Sequence, residues 1–503
     1  KRIGRPVKWS CERSEAFQSD EHCRDNVSKA EMALTSDGKF LGLRVNTIVN
    51  HGAYLSQDRH LLSSFLNVGC LAGVYTTPAI HVTVRNVFTN TNSTSPYRGA
   101  GRPEAAYIIE SMADLAAKEL GLDKTEIRRR NIIPVDAMPF KTGLIYTYDC
   151  GEFEKNMDRV MEMIDYAGFE ARREEARTRS KLRGIAISNS IERAGAPFPE
   201  TVEIRFDPTG TVTIFAGTKD QGQGHDTMYK QLLSDKLGID TDDVRLVDGD
   251  TDKVTYGLGT FGSRSAIIGG SALHVAADKI IEKGTKIAAQ VLEAAEADIT
   301  FEDGQFRIAG TDRSLDVQEI AKIAYNPIRM PKGIEPGFAE TGTFDLLQTT
   351  FPNGCHGVEV EIDEETGKTE LVSYYIVDDV GNVINPLMLK GQIYGGVVQG
   401  VGQALMEDIA FDPDSGQLLS GSFMDYAMPR ADDMCAMKVE SNPVVTKANP
   451  LGVKGAGEAG CVGALPAVIS AITDALSVYG IDYIEMPATA ERVWQAIQSA
   501  KAV

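Results

Sequence analysis

The stretch 201–217, TVEIRFDPTGTVTIFAG, decides the fold class. Apolar and polar side chains alternate on either side of Asp207-Pro208-Thr209-Gly210, the pattern of two half-buried strands. Pro208 and Gly210 stand where a type I turn wants them, so the two strands form an antiparallel hairpin. Residues 358–379, VEVEIDEETGKTELVSYYIVDD, repeat that design, and 300–308, TFEDGQFRI, shorten it. Val45–Val49 and the run 76–91 also read as strands, rich in β-branched residues. Helices are predicted over 103–121, where Ala106, Ile109, Met112, Leu115 and Ala116 keep a helical spacing, near Phe153–Ile164, over Ser265–Ala297 and over Pro466–Tyr479. Hairpins with helices interspersed argue an α+β fold, not a pure parallel doubly wound sheet.

The charge-rich run 170–184, EARREEARTRSKLRG, reads as a solvated helix or connector. It divides the chain into 1–150, a helical connector 151–183, and 184–503. A length of 503 residues fits two to four structural units. With 43% hydrophobic and 24% charged residues the chain is not disordered. No apolar run is seen to reach the ~20 residues of a membrane span. A net charge of −20 makes it a poor partner for nucleic acid or an anionic membrane. The seven cysteines are scattered, odd in number and without CxxC. That pattern argues against a disulfide framework, a zinc site or an iron–sulfur spacing. A reducing, cytoplasmic location is the expectation, with the periplasm left open because KRIGRPVKW is neither an initiator sequence nor a signal peptide.

Four loops combine glycine with polar side chains. In 95–107, SPYRGAGRPEAAY, Gly99 and Gly101 let the backbone approach a ligand, and the helix starting near Pro103 offers free N–H groups. In 218–238 the loop Gln221, Gly222, Gln223, Gly224, His225 follows a strand, and Asp226 or Thr227 is expected to cap the next helix. Its two glutamine amides can donate to an anionic or oxo-rich ligand. In 248–272 the run from Gly257 to Gly262 matches GxGxxG, but Ser263 replaces the P-loop lysine. No buried strand precedes it, and Asp278 falls within a helix, so the Rossmann context fails too. The hydroxyls of Thr260, Ser263 and Ser265 remain as a phosphate cradle. In 452–476 a second GxGxxG encloses Glu458. If that loop lines a pocket, burial raises the Glu458 pKa and makes it a general base. A fifth segment, 385–405, places Gln392 and Gln399 seven residues apart on one helical face. Singly, each loop also reads as a polar turn, Arg98 as a structural ion-pair partner, His225 as a satisfied histidine and Glu458 as a solvated carboxylate.

Together and in this order, PYRGAGRPE, QGQGHDT, GTFGSRS, KGQIYGGVVQG and VKGAGEAG resemble motifs of one family. It is the large, molybdenum-binding subunit of the xanthine dehydrogenase / aldehyde oxidase / carbon monoxide dehydrogenase type. The resemblance implies two molybdopterin-binding domains with mixed sheets and packed helices. It implies that Gln221–His225 hold molybdopterin, with Gln223 beside the molybdenum ligands. Thr260, Ser263 and Ser265 would bind the cofactor's phosphates and nucleotide, and Gln392 the pterin. Arg98, Gly99 and Ala100 would face the active site, Lys454 and Gly455 would join the cofactor-binding set, and Glu458 would be the catalytic glutamate. The metal would be held by the pterin dithiolene, so no protein ligand is required.

The implied reaction is hydroxylation of an aldehyde or N-heteroaromatic small molecule with oxygen from water. The pterin would be the cytosine dinucleotide form. Electrons would leave through a [2Fe–2S] small subunit and an FAD-binding medium subunit. The family's N-terminal hammerhead domain and earlier pterin loop are not in this sequence, so the chain is a fragment or a separate chain supplies them. Copper-type carbon monoxide dehydrogenases carry Cys where this chain has Gly99, which argues against a Cu–S–Mo site. Ala100 is small where some relatives have Phe, which implies room for a bulkier substrate. Two alternatives stay open: a non-catalytic cofactor-binding subunit completed by another chain, and a nucleotide-dependent dehydrogenase.

Overall fold

The hairpin at 201–217 forms as its sequence requires in the computed structural model, which describes residues 2–55, 68–195 and 198–502. Gly210 N–H donates to the Asp207 carbonyl at 3.0 Å and closes the turn. The strands of the first third are β1 (Asn26–Leu34), β2 (Phe40–Asn50), β3 (Ile80–Val87), β4 (Phe140–Lys141) and β5 (Thr147–Tyr148). Then come β6 (Lys181–Ile191), β7 (Glu200–Phe206), β8 (Val212–Ala216), β9 (Val244–Asp248), β10 (Ile299–Glu302), β11 (Gln305–Ile308) and β12 (Ser314–Asp316). The last four are β13 (Ala339–Phe344), β14 (Asn353–Asp363), β15 (Thr369–Asp379) and β16 (Met437–Ser441).

Three sheets share one plan: an antiparallel hairpin with a parallel strand at one edge. Their orders are β1-β2-β3, β13-β7-β8-β9 and β16-β15-β14-β6. The parallel pairs are β2–β3, β8–β9 and β15–β16. A parallel neighbour needs a crossover, and helices His225–Leu237 and Pro386–Leu405 supply two of them. Each crossover leaves a loop at the C-terminal end of a strand, where ligands bind in α/β units. Register does the rest. Ile191, Asn353 and Asp379 lie side by side, so β6 and β15 end at one rim.

Among the described residues, three large apolar cores and a smaller one around Ile267 hold the sheets. The first joins Ile109, Ile127, Tyr148 and Phe153 to Ile187 of β6 and Val377 of β15. The second packs Ile214, Leu233, Ile280, Phe306 and Phe338. The third packs Val360, Ile376, Val397, Leu465 and Ile472.

The helix at the centre of the third core corrects two sequence readings. It spans Ala459–Leu476 with Pro466 inside it, so Pro466 does not open it. Tertiary packing overrides the proline: the helix lies across β6 and β14 and against helix Pro386–Leu405. The two helices touch backbone to backbone, and a Cβ on Gly460 would stand 2.3 Å from the Ile393 carbonyl oxygen. The expectation that no run reaches spanning length is also corrected. Ala459–Tyr479 has 21 residues and a mean hydropathy of 1.7, enough by length and composition to cross a membrane, yet 78% of the window is buried in the fold. The helix predicted over Ser265–Ala297 is shorter. A π turn at Ser265–Gly269 leads into Gly270–Val291, and Glu293 at φ +56° ends it.

A buried ionic knot ties the first core to β6. Arg128 donates through Nε to Glu110 Oε2 at 2.8 Å, and Tyr75 donates to Glu110 Oε1 at 2.5 Å. The Asn189 backbone N–H donates to Glu110 Oε2 at 3.1 Å. Without Glu110, Arg128 still pairs with Asp114 at 2.8 Å, but the buried Tyr75 hydroxyl and Asn189 N–H lose their acceptor, at about 1–3 kcal/mol each. Glu110→Ala is therefore expected to lower the unfolding free energy by about 2–5 kcal/mol, read from urea midpoints. The exposed Glu119→Ala should stay within about 0.5 kcal/mol of the parent.

Candidate functional site

The glycine loops and Gln392 converge on one cavity of about 1090 Å³. Arg98, Ala100, residues 221–225, Thr260, Ser263, Ser265, Gln392, Lys454 and Glu458 all line it. Gly99 and Gly455 stand just behind the wall. Gly99 donates its N–H to Glu458 Oε1 at 3.0 Å, and Gly455 lies against Ser263.

The loop after β8 is held by its own side chains. Helix His225–Leu237 begins directly after Gly224, and neither Asp226 nor Thr227 caps it. That expectation is corrected by Asp220, whose carboxylate accepts from Gly222 N–H at 2.7 Å and from His225 N–H at 3.2 Å. The left-handed Gly224 lets the helix start early enough for Asp220 to reach it. The Gln223 amide donates to the Lys219 carbonyl at 3.0 Å and lies 2.9 Å from His225 Nε2. Burial outweighs the nearby Asp220 and Asp248 and lowers the His225 pKa, so the ring is neutral at pH 7.

The helical face predicted from Gln392 and Gln399 is occupied by Arg98. Its guanidinium donates to Gln399 Oε1 at 3.1 Å, Gln392 Oε1 at 3.2 Å and the Gly457 carbonyl at 2.6 Å. None of these partners is a carboxylate, so the ion-pair alternative for Arg98 is not what the fold builds. Two residues from the cofactor-binding set serve other partners. The Lys454 ammonium is fully buried on Asp379, so its charge is spent inside the protein. The Ser263 hydroxyl lies 2.9 Å from Glu192 Oε1 and 3.1 Å from Glu458 Oε2, and its one proton serves one of them at a time. A phosphate at that hydroxyl would meet two carboxyl groups, and the Thr260 hydroxyl, 3.0 Å from that of Ser265, donates to the Lys219 carbonyl at 2.7 Å.

Glu458 precedes the first turn of helix Ala459–Leu476, and its side chain is 13% exposed. Arg102 donates to its Oε2 at 2.6 Å and to Glu192 Oε1 at 3.2 Å. Burial alone would push Glu458 up, as the sequence reading expected. The Arg102 charge, with hydrogen bonds from Glu192, Gly99 and Ser263, instead holds it below the ordinary carboxylate value. Burial and the Glu458 charge push Glu192 well up. The raised carboxyl is thus the one that the sequence did not single out.

Arg193, next to Glu192, also lines the cavity, and no carboxylate pairs with it among the described residues. The cavity wall is therefore rich in cationic and neutral donors around one ionised carboxylate. That donor set fits a large, oxygen-rich anion. Among the described residues no group of three His, Cys, Asp or Glu could hold a metal ion. A metal in this site would bring its own ligands, as a metallated dithiolene does.

Residues 1–132 and 159–435 each match the molybdopterin cofactor-binding domain family. The chain belongs to that family. The family match agrees with relatives of the same architecture. The carbon monoxide dehydrogenase large chain of Hydrogenophaga pseudoflava is 35% identical over 99% of this chain and 64% of its own length. The nicotine 6-hydroxylase large subunit of Paenarthrobacter nicotinovorans is 35% identical over 99% of this chain and 62% of its own length. The solved quinoline 2-oxidoreductase of Pseudomonas putida 86 superposes with a TM-score of 0.93 at 34% identity, covering 99% of this chain and 65% of that one. The chain thus spans a little under two thirds of these relatives.

Sequence reasoning missed Arg102, Glu192 and Arg193 of this cavity. Arg102 lies inside PYRGAGRPE, whose signal is carried by its glycines and Arg98; Glu192 and Arg193 follow β6 with Gly195 alone beside them and no glycine cluster. It also missed His356, which lies under Gly463 of the helix that Glu458 begins. His356 Nδ1 is 2.8 Å from the Tyr374 hydroxyl, and burial pushes its pKa down to about 3. Above the ordinary value of 6.5 the ring is neutral in both states and its contribution to stability is whole. Below it the unfolded chain binds a proton that the fold refuses, so stability falls with pH. Between pH 6 and pH 5 the parent should lose about 1 kcal/mol more than His356→Gln, measured by urea unfolding at both values.

Proposed function

We propose that the chain is the catalytic, molybdopterin-binding part of a molybdenum hydroxylase. It oxidises an aldehyde or an N-heteroaromatic compound with oxygen taken from water. The observation that carries this reading is the Glu458 carboxylate, ionised beside Arg102 and open on the cavity. A general base must be unprotonated, oriented and within reach of the bound reactant. Arg102, Ser263 and Gly99 supply the first two conditions.

Arg98, the Gln221–His225 loop, Thr260, Ser265 and Gln392 would hold the cofactor. Their guanidinium, amide and hydroxyl groups suit its oxygen-rich edge. When bound, the group supplies a metal centre that activates water and accepts two electrons. Glu458 would be the proton acceptor for a reactant bound beside it in the cavity. Arg98 keeps Gly457 and the two glutamines in place, and the neutral His225 braces Gln223. The cytosine dinucleotide form of the pterin completes this reading.

Two electrons per turnover need an exit, so a [2Fe–2S] subunit and an FAD-binding subunit are the partners. The chain spans a little under two thirds of its relatives, and a further segment or separate chain would supply the remainder. The seven cysteines are all free, which supports a reducing, cytoplasmic setting. Copper chemistry is disfavoured at the position of Gly99. It sits at φ +96°, and a Cβ there would lie 2.6 Å from the Pro103 ring. The small Ala100 and the rings of Tyr146, Phe198 and Phe261 on the cavity wall support an aromatic substrate.

The assembled complex, purified from its own cells, should carry about one molybdenum per chain together with iron and flavin. Glu458→Gln should keep its molybdenum and lose about 100- to 10,000-fold in turnover of the best aldehyde or heteroaromatic substrate. Full turnover in a molybdenum-loaded Glu458→Gln complex would remove Glu458 from the chemistry.

A further inference from the structure

Glu192 shares its polar neighbours with Glu458. It follows the last residue of β6, and its side chain is 1% exposed. Arg102 touches Glu192 at 3.2 Å and Glu458 at 2.6 Å. The Ser263 hydroxyl touches them at 2.9 Å and 3.1 Å. One guanidinium cannot neutralise two carboxylates at this burial, and two like charges at contact do not both ionise.

We propose that Glu192 is a positioning residue for Glu458, the pair sharing one proton between the Arg102 guanidinium and the Ser263 hydroxyl that touch both. This rests on the reading of Glu458 as the base. The proton resides on Glu192, which is the more buried carboxyl, and Glu192 donates it towards Glu458. The Arg102 charge is then left to Glu458 alone. A proton taken up by Glu458 leaves Arg102 uncompensated, which favours its release and resets the base.

The other groups around the pair do not compete for this proton. Arg193 and Cys70 face Glu192, while Arg98 and Cys461 approach Glu458. Both thiols are raised by burial and stay neutral, and both arginines are cations. Glu104, the next carboxylate, is paired with Arg24 at 3.5 Å.

Infrared difference spectra of the purified complex test the proton directly. At pH 7, Glu192→Gln should remove one protonated-carboxyl band from the parent spectrum. Asp378→Asn, Glu110→Gln and Glu407→Gln mark the bands of the other acids that burial raises, Asp378 being pushed up to about 7. An unchanged spectrum in Glu192→Gln overturns the proposal, and this readout needs no turnover. The pH profile of kcat/KM then tests positioning. Glu192→Gln keeps a neutral donor and should leave the acid limb where it is. Glu192→Leu should move that limb up by about one pH unit, a tenfold loss on the acid side. Equal shifts in both variants, or none in the leucine variant, overturn the positioning role. If Glu192→Leu does not fold, the glutamine variant decides through its band and its limb. A dead Glu192→Gln with its band lost would leave the shared proton standing and overturn positioning by a neutral donor. Full activity in Glu458→Gln would sink the reading of the base without touching the infrared result.

Discussion

Arg102 is the residue on which the site depends. It is the first residue of helix Arg102–Leu120, where the macrodipole is positive and a cation is least welcome. The Glu458 carboxylate offsets that placement, Glu192 accepts a further hydrogen bond, and the side chain is 3% exposed. Its Nη1 also donates to the Ala100 carbonyl at 2.9 Å, which fixes the loop beside it. The guanidinium fork is suited to such shared recognition, because its donors are rigid and always charged. Through it, the entry to one helix, the end of β6 and the start of helix Ala459–Leu476 become one unit.

Charge is distributed unevenly around that unit. The chain carries a net charge of −20, yet its cavity gathers Arg98, Arg102 and Arg193 around one ionised glutamate. Lys454 does not add to this, since Asp379 neutralises it inside the fold. A low-dielectric cleft focuses such a local field, whereas the acidic exterior repels anionic macromolecules. The molecule therefore separates its solubility from its ligand chemistry.

Much of this architecture was legible in the residues. The hairpins at 201–217 and 358–379 announced themselves by alternation and turn chemistry, because those are local rules. The glycine loops were legible as cavity-lining because each sets glycine and polar side chains just ahead of a helix. Three features were not legible. Pro466 misplaced a helix start, since its cost is outweighed by contacts with residues such as Ile393 far away in sequence. Asp220, not Asp226, receives the His225 N–H because Gly224 turns the chain first. The protonation pattern of Glu458 inverted because Arg102 and Glu192 reach it only in three dimensions. Burial by itself predicts a raised carboxyl; burial beside a shared arginine raises the neighbour instead.

The contacts around Glu458 bridge extreme distances along the chain. Ser263 is 195 residues away, Arg102 is 356 away and Gly99 is 359 away. Loops of that size close late, after local hairpins and helices have formed. No partly folded intermediate can then present the finished site, and a molecule that prefers the closed arrangement draws the whole polypeptide towards it by mass action. A ligand of this cavity that binds only the closed arrangement would therefore stabilise the fold as a whole, and not one loop of it.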